Sequence, residues 1–229
     1  MTEKHENIIE ILRKGGTAEE LARAVVLRAM MHLIGPVGGH PVLDLACGDG
    51  DLSRWFAIHG ALVTGVDKSV ETIELARKHE IQDPHGVSYI VGDAEDLYMI
   101  EDSAFDVVVC NLALARIENL SSVVAEVARI IRLGGRFIFS VAHPCFESRL
   151  FGGVPRENYF AEELHDSSCG QIRHRTLATY INAVAARGFT VRRVLEPAAD
   201  KHDVAINPDF EPWCRMPVAL VIEAVFPKI

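Results

Sequence analysis

The residues best equipped for chemistry sit in the stretch VLDLACGDGDL, positions 42–52. A hydrophobic run there breaks into the turn Gly48-Asp49-Gly50. Turns of this kind usually cradle a phosphate, because backbone N–H groups and a helix N-terminus favour an anion. Asp44, Asp49 and Asp51 crowd this turn, and three carboxylates would repel a phosphate. The composition asks for a ligand that is partly cationic yet keeps one group for the backbone amides. Asp67, in VTGVDKS, follows Gly48 by 19 residues, a spacing that suits a carboxylate accepting two ribose hydroxyls.

Known glycine turns narrow the choice. A dinucleotide site wants G-x-G-x-x-G, and Ser53 stands at its third place, which weakens that reading. The P-loop pattern G-x-x-x-x-G-K-[ST] is absent. S-adenosylmethionine has no phosphate; it carries a sulfonium, an ammonium, one carboxylate and an adenosine. Carboxylates near the turn can attract its cationic groups while backbone amides hold the lone carboxylate. Asp67 would serve a nicotinamide dinucleotide equally well, so that residue alone does not decide.

Further candidates lie later in the chain. His143, in SVAHPCF, follows a hydrophobic run, and Pro144 fixes the backbone after it. It reads as a general base or as a hydrogen-bond partner of a substrate, against the plain alternative of a structural histidine. His174 and Tyr180 are the other candidates for catalysis, against a surface histidine near a helix start and a core tyrosine. Phe146, Phe151, Tyr159, Phe160, Phe210 and Trp213 fall in irregular stretches and suggest an apolar substrate wall, or packing beneath long loops.

These residues need a scaffold, and the hydrophobic pattern supplies one. Apolar runs at 41–46, 61–66, 87–91, 105–110 and 136–142 read as buried strands, and helical patterns at 51–59, 69–80 and 121–132 separate most of them. This alternation predicts an α/β fold: a Rossmann-like, doubly wound and mostly parallel seven-stranded sheet with helices on both faces and an antiparallel last strand. Before it, Ile8, Ile9 and Leu12 mark a short helix ending at Gly15-Gly16. Thr17 and Glu20 then form a capping box for a second helix, with Leu21, Val25 and Leu33 on one face and Gly35-Pro36 at its end. Periodicity fails over 143–175, returns as a helix at 176–187, and is followed by the strands FTVRRVLEP and PVALVIEAVFP with a long loop between them. The expected organisation is one domain over 1–229, with a helical cap at 1–36, a cofactor core at 40–142 and substrate-side loops at 143–175 and 198–216.

Composition excludes several classes. The formal net charge is −9 and no basic run opposes it, which disfavours a nucleic-acid partner. No apolar run reaches the roughly 18 residues of a membrane span. The amphipathic N-terminus lacks a signal-peptide core. The cysteines number five, with no C-x-x-C pair, so neither a disulfide framework nor a metal site is expected. These features predict a soluble cytoplasmic protein.

VLDLACGDG, VTGVDKS, VGDAEDL, FDVVVCNLAL and EVARIIRLGGRFIFS occur in that order. Together they resemble the class I S-adenosylmethionine-dependent methyltransferases, in their small-molecule branch, strongly over about 40–142 and more weakly to the end. Ala46 departs from the glycine usual in that family. The resemblance implies that Asp44 and the turn Ala46, Cys47, Gly48 to Gly50 hold the methionine end of the cofactor. It also implies that Asp67 accepts the ribose hydroxyls with Lys68 nearby, that Asp93 and Ala94 meet the adenine, and that Asn111 and Leu112 lie under the sulfonium. It favours a site role for His143, and Phe146, Tyr159 and Trp213 would help to bind the substrate. Leu112 follows Asn111 in place of the Pro-Pro-aromatic run of methyltransferases acting on nucleobases or glutamine. The expected reaction is in-line methyl transfer to oxygen, nitrogen or carbon of a small molecule, with S-adenosylhomocysteine as product and no metal. The rivals are a cofactor-binding protein without catalysis and an NAD(P)-linked oxidoreductase.

Overall fold

A computed structural model describes residues 17–147, 158–167 and 170–228. The chain opens with α1 (Ala18–Ile34) and then alternates: β1 (Pro41–Leu45), α2 (Asp51–Ile58), β2 (Leu62–Asp67), α3 (Val70–Gln82), β3 (Ser88–Val91) and β4 (Phe105–Asn111). A 3-10 turn at Leu114–Arg116 leads to α4 (Leu120–Ile130) and β5 (Ile131–Ala142). The hairpin β6 (Leu164–Ser167) and β7 (Gly170–Arg173), α5 (Leu177–Ala186), β8 (Thr190–Leu195), α6 (Lys201–Ile206) and β9 (Ala219–Val225) follow.

The main sheet has seven strands in the order β3-β2-β1-β4-β5-β9-β8. Only β9 runs antiparallel to its neighbours. Central strands are apolar on both sides because both faces are covered: Val42 packs into one core with Leu21, Met30, Phe56 and Ile73, while Leu43 packs into the other with Val123, Val127, Phe139 and Tyr180. Helices α1, α2 and α3 therefore cover one face, and α4 and α5 the other. The strand order reverses between β1 and β4, and parallel sheets bind ligands at the carboxyl ends of the strands beside such a switch.

The capping box on α1 forms as its sequence predicts, with Thr17 accepting from the Glu20 amide and Glu20 reaching back. The other end is held from the sheet: Arg136 of β5 donates to the carbonyls of Leu33 and Ile34 at 3.1 and 2.8 Å. Arg28 forks onto Asp203 of α6 at 2.8 and 2.7 Å. Asp203 is itself fully buried and closes the capping box of α6 with Asp200.

Three sequence expectations need correction. Strand β5 begins at Ile131, where a helix extending to 132 was expected, because Ile131 pairs with Phe105 before residues 132–135 bulge out and regular pairing resumes at Arg136. The stretch 143–175 is not irregular throughout, since it contains β6 and β7, which are too short and polar to show a hydrophobic period. The 198–216 loop holds α6 and a 3-10 segment at Pro208–Arg215. The expected helix at Ile8, Ile9 and Leu12, together with Phe151 and Cys169, lies outside the described residues.

Candidate active site

A cavity of about 530 Å³ opens at the carboxyl ends of β1, β2 and β4. One end is walled by Ala46, Cys47, Gly48, Asp67, Lys68 and Thr72, continuing through Asp93, Ala94 and Glu95. The other end is walled by Ala22 and Arg23 of α1, by Ala113, Ala115, Arg116 and Ile117 after β4, and by Ala142, Ile172 and Val218. Asn111 and Leu112, at the end of β4, also line it.

The turn after β1 takes its shape from unusual backbone angles. Ala46 has φ +59°, Gly48 +56° and Gly50 +81°. A non-glycine residue in this region is strained, and such strain tends to sit where the fold dictates an exposed backbone. An added Cβ on Gly48 would meet nothing within 4 Å. One on Gly50 would run into the ring of Tyr89, so Gly50 is required by packing beneath the cavity. Leu112 repeats the pattern at the end of β4, with φ +53° and its amide held by the Ser140 hydroxyl at 2.9 Å. Ser140 also donates to Asn111 Oδ1 at 2.7 Å, which fixes the direction of that amide group.

Asp67 accepts from the amides of Gly48 and Ser69, each at 2.9 Å, and so ties the turn to the end of β2. Asp44 lies below the turn, 2% exposed and outside the cavity wall, and accepts from the Ser53 hydroxyl at 2.6 Å. Burial pushes its carboxyl up to about 7; the Ser53 bond opposes this and the charge of Asp67 adds to it. Burial likewise pushes the Cys47 thiol up, with Asp44 and Asp67 adding, so it stays protonated. Asp93 accepts from the Glu95 amide at 3.0 Å, which closes the turn after β3.

Among the described residues, the cavity wall includes Ala46, Cys47, Gly48, Asp67, Lys68, Asp93, Ala94, Asn111 and Leu112, but neither Asp44 nor Gly50. The candidates for catalysis and substrate binding lie outside this wall. His143 is buried; its Nδ1 accepts from the Cys145 amide at 3.3 Å, and its Nε2 faces Glu196 Oε1 at 2.8 Å. An accepting Nδ1 puts the ring proton on Nε2, so both nitrogens are engaged. His174, also buried, lies between Glu147 Oε1 at 2.5 Å and the Tyr159 carbonyl at 2.8 Å. Phe146 packs on His143 and Tyr159 on His174, while the Tyr159 hydroxyl accepts from the Leu177 amide at 2.8 Å. Tyr180 is buried against Phe139. Trp213 is half-buried beside the core under α1.

Sequence reasoning passed over Thr72, Arg23, Arg116, Ile172 and Ser140. Ser140 was findable, because it pairs in register with Asn111 across β4 and β5. The others reach the cavity through contacts that no local pattern reveals.

The comparisons with known proteins agree with this geometry. A family described as a methyltransferase domain matches residues 43–139. A Listeria monocytogenes structure assigned as an S-adenosylmethionine-dependent methyltransferase superposes with a TM-score of 0.78 at 30% identity, over 90% of this chain and 98% of its own. An S-adenosylmethionine-dependent methyltransferase from Mesorhizobium loti gives 0.78 at 26% identity, over 89% of this chain and 97% of its own. A ubiquinone biosynthesis O-methyltransferase from Vibrio atlanticus is 35% identical over 119 residues, which are 52% of this chain and 50% of that protein. The chain spans about half the length of the curated relatives it matches. The chain belongs to the class I S-adenosylmethionine-dependent methyltransferases, and S-adenosylmethionine is its cofactor. The residues present suit that cofactor: a carboxylate at the end of β2 and an open glycine turn after β1.

Proposed function

We propose that this enzyme methylates a small molecule held at the Ala113, Ala115, Ile117 and Ile172 end of the cavity. The observation that carries the reading is the continuity of one cavity, whose lining runs from Asp67, Lys68, Asp93 and Glu95 to the small or apolar Ala113, Ala115, Ile117 and Ile172, with Arg23 and Arg116 beside them. The O-methyltransferase name of a relative matched over half its length supports a small acceptor, oxygen among the possibilities. The net charge of −9 speaks against a nucleic-acid acceptor. The described cysteines are all free, and no described helix is long and apolar enough to cross a membrane; both observations support a cytoplasmic placement.

Bound S-adenosylmethionine supplies a methyl group activated by its sulfonium. Asp67 would accept the ribose hydroxyls with lone pairs left over from its two amide bonds. Asp93 and the Ala94 amide would meet the adenine, with Lys68 against the ribose. The Ala46, Cys47 and Gly48 backbone would hold the methionine carboxylate, and ionised Asp44 beneath it would favour the cationic groups. Asn111, fixed by Ser140, and Leu112 would face the reacting centre and align the acceptor. Among the described residues the carboxylates on the wall are Asp67, Asp93 and Glu95, and these are the candidate bases there. His143 fastens the end of β5 and leaves the proton chemistry to others.

Purified protein incubated with isotopically labelled S-adenosylmethionine and a metabolite extract tests the reading. Label in a small molecule is the expected result. Label appearing only in protein or nucleic acid would overturn it.

A further inference from the structure

Arg175 lies between the two residues that sequence reasoning picked out on its segment, His174 and Tyr180, and is 4% exposed. Its guanidinium donates to the carbonyls of Leu114 at 2.9 Å, Ile117 at 2.7 Å and Glu118 at 2.8 Å. These carbonyls belong to the backbone that turns Ala113, Ala115, Arg116 and Ile117 toward the cavity. A buried guanidinium is costly unless its donors are matched, and its rigid planar fork suits several fixed acceptors at once.

The segment around Arg175 is itself anchored. Ile172, three residues earlier, lines the cavity. His174 bridges Glu147 and the Tyr159 carbonyl. Thr176 caps α5, and its hydroxyl and amide bond to Glu162. Tyr180 packs behind Arg175: burial pushes its hydroxyl up to about 12, and the neighbouring guanidinium opposes that rise. One wall residue therefore sits on β7, and the backbone of the neighbouring wall segment hangs from Arg175.

We propose that Arg175 is a positioning residue that fixes the shape of the acceptor end of the cavity by holding the 113–118 backbone through three carbonyls. The proposal rests on the reading that the acceptor binds at that end. It assigns Arg175 no contact with the cofactor or the reacting atoms.

The test uses the full chain with Arg175→Lys, Arg175→Ala and, as a control on the wall itself, Ala115→Trp. Lysine keeps the charge but lacks the fork, so the fold survives even where alanine destroys it. Two readouts are taken with S-adenosylhomocysteine saturating: amide hydrogen exchange over residues 112–119, and binding of para-nitrophenol as a small apolar probe. S-adenosylhomocysteine affinity should stay within about threefold of wild type in Arg175→Lys. Exchange over 112–119 should rise about tenfold, and probe affinity should fall about tenfold, in the same variant. Ala115→Trp should abolish probe binding without loosening the segment. Unchanged exchange in Arg175→Lys overturns the proposal. Faster exchange with undiminished probe binding, where Ala115→Trp still blocks the probe, also overturns it, because Arg175 then only braces the fold. A probe that fails to bind wild type, or that ignores Ala115→Trp, instead overturns the acceptor reading, and exchange alone then judges the hold of Arg175 on the wall.

Discussion

The backbone amide of Gly48 donates to Oδ2 of Asp67 at 2.9 Å, so the glycine turn after β1 and the carboxylate that ends β2 form one unit. Removing the carboxylate therefore costs twice, once at the ligand and once at the turn. Asp67→Ala should weaken S-adenosylmethionine binding about 10- to 100-fold, the worth of one or two charge-assisted hydrogen bonds. Asp67→Asn keeps an acceptor for Gly48 and should fall between alanine and wild type. Calorimetry on the three proteins gives the order, and equal affinity across them would remove Asp67 from the cofactor site.

Asp44 should make cofactor binding sensitive to pH. Its folded-state pKa of about 7 lies above the roughly 3.9 of an unfolded chain. Between those values the folded state holds a proton that the unfolded state has lost, so this group's contribution to stability falls as pH rises through the window. Cationic groups above the turn favour the ionised form, so the cofactor should bind more tightly at pH 8 than at pH 6, by up to about tenfold, and release a proton on binding near pH 6.5. Asp44→Asn should flatten both dependences. A pH-independent dissociation constant in wild type would contradict the argument.

Ala46 occupies a backbone conformation that costs about 1 kcal/mol or more for residues other than glycine. Ala46→Gly relieves that cost but frees the unfolded chain, so stability should change by less than about 1 kcal/mol. Ala46→Val adds a β-branched side chain to a positive φ and should lower both stability, by roughly 1–3 kcal/mol, and cofactor affinity. Denaturant melts with and without S-adenosylhomocysteine would separate the two effects.

His143 has both ring nitrogens engaged. His143→Gln should keep kcat within about tenfold of wild type, where loss of a general base would cost about 10²–10⁴-fold. Stability should drop by about 1–2 kcal/mol through the bonds to Glu196 and Cys145. A hundredfold loss of turnover in a folded variant would restore the role of base.

Arg28 and Asp203 clasp the helix over the cavity to the loop before β9. Asp203 is fully buried whereas Arg28 is half-exposed, so Arg28→Ala should cost roughly 2 kcal/mol, less than breaking a fully buried pair. Hydrogen exchange should show residues 18–34 gaining protection when S-adenosylhomocysteine binds, because Ala22 and Arg23 line the cavity. Arg28→Ala should diminish that gain, and identical exchange with and without ligand would make α1 a purely structural cover.

The legible part of this protein is the part written locally. Strands β1, β2 and β4 are apolar on both faces, and their runs stand out in the sequence. Each strand end carries its own short local motif, which is why Gly48, Asp67, Asp93 and Asn111 could be named before any fold was seen, and all four line the cavity. Depth was not legible: Asp44 and Gly50 share the first motif but lie beneath the wall, one bonded to Ser53 and the other against Tyr89. The acceptor end was hidden because long-range contacts assemble it. Ile172 comes from a four-residue strand, and Arg175 reaches carbonyls some 57 to 61 positions earlier in the chain. The histidines and aromatics of that region drew notice by type, yet His143, His174 and Tyr159 bond to Glu196, Glu147 and the Leu177 amide and are not among the residues lining the cavity.

Strand β9 enters the sheet between β5 and β8, although both precede it in the chain. On a ribosome, therefore, the first five strands can pair as they emerge, while β5 presents an unpaired edge and β8 has no place to dock. Both remain so until residues 219–225 are made and thread between them. The antiparallel strand is thus the keystone of the sheet, which closes only when this late segment joins it.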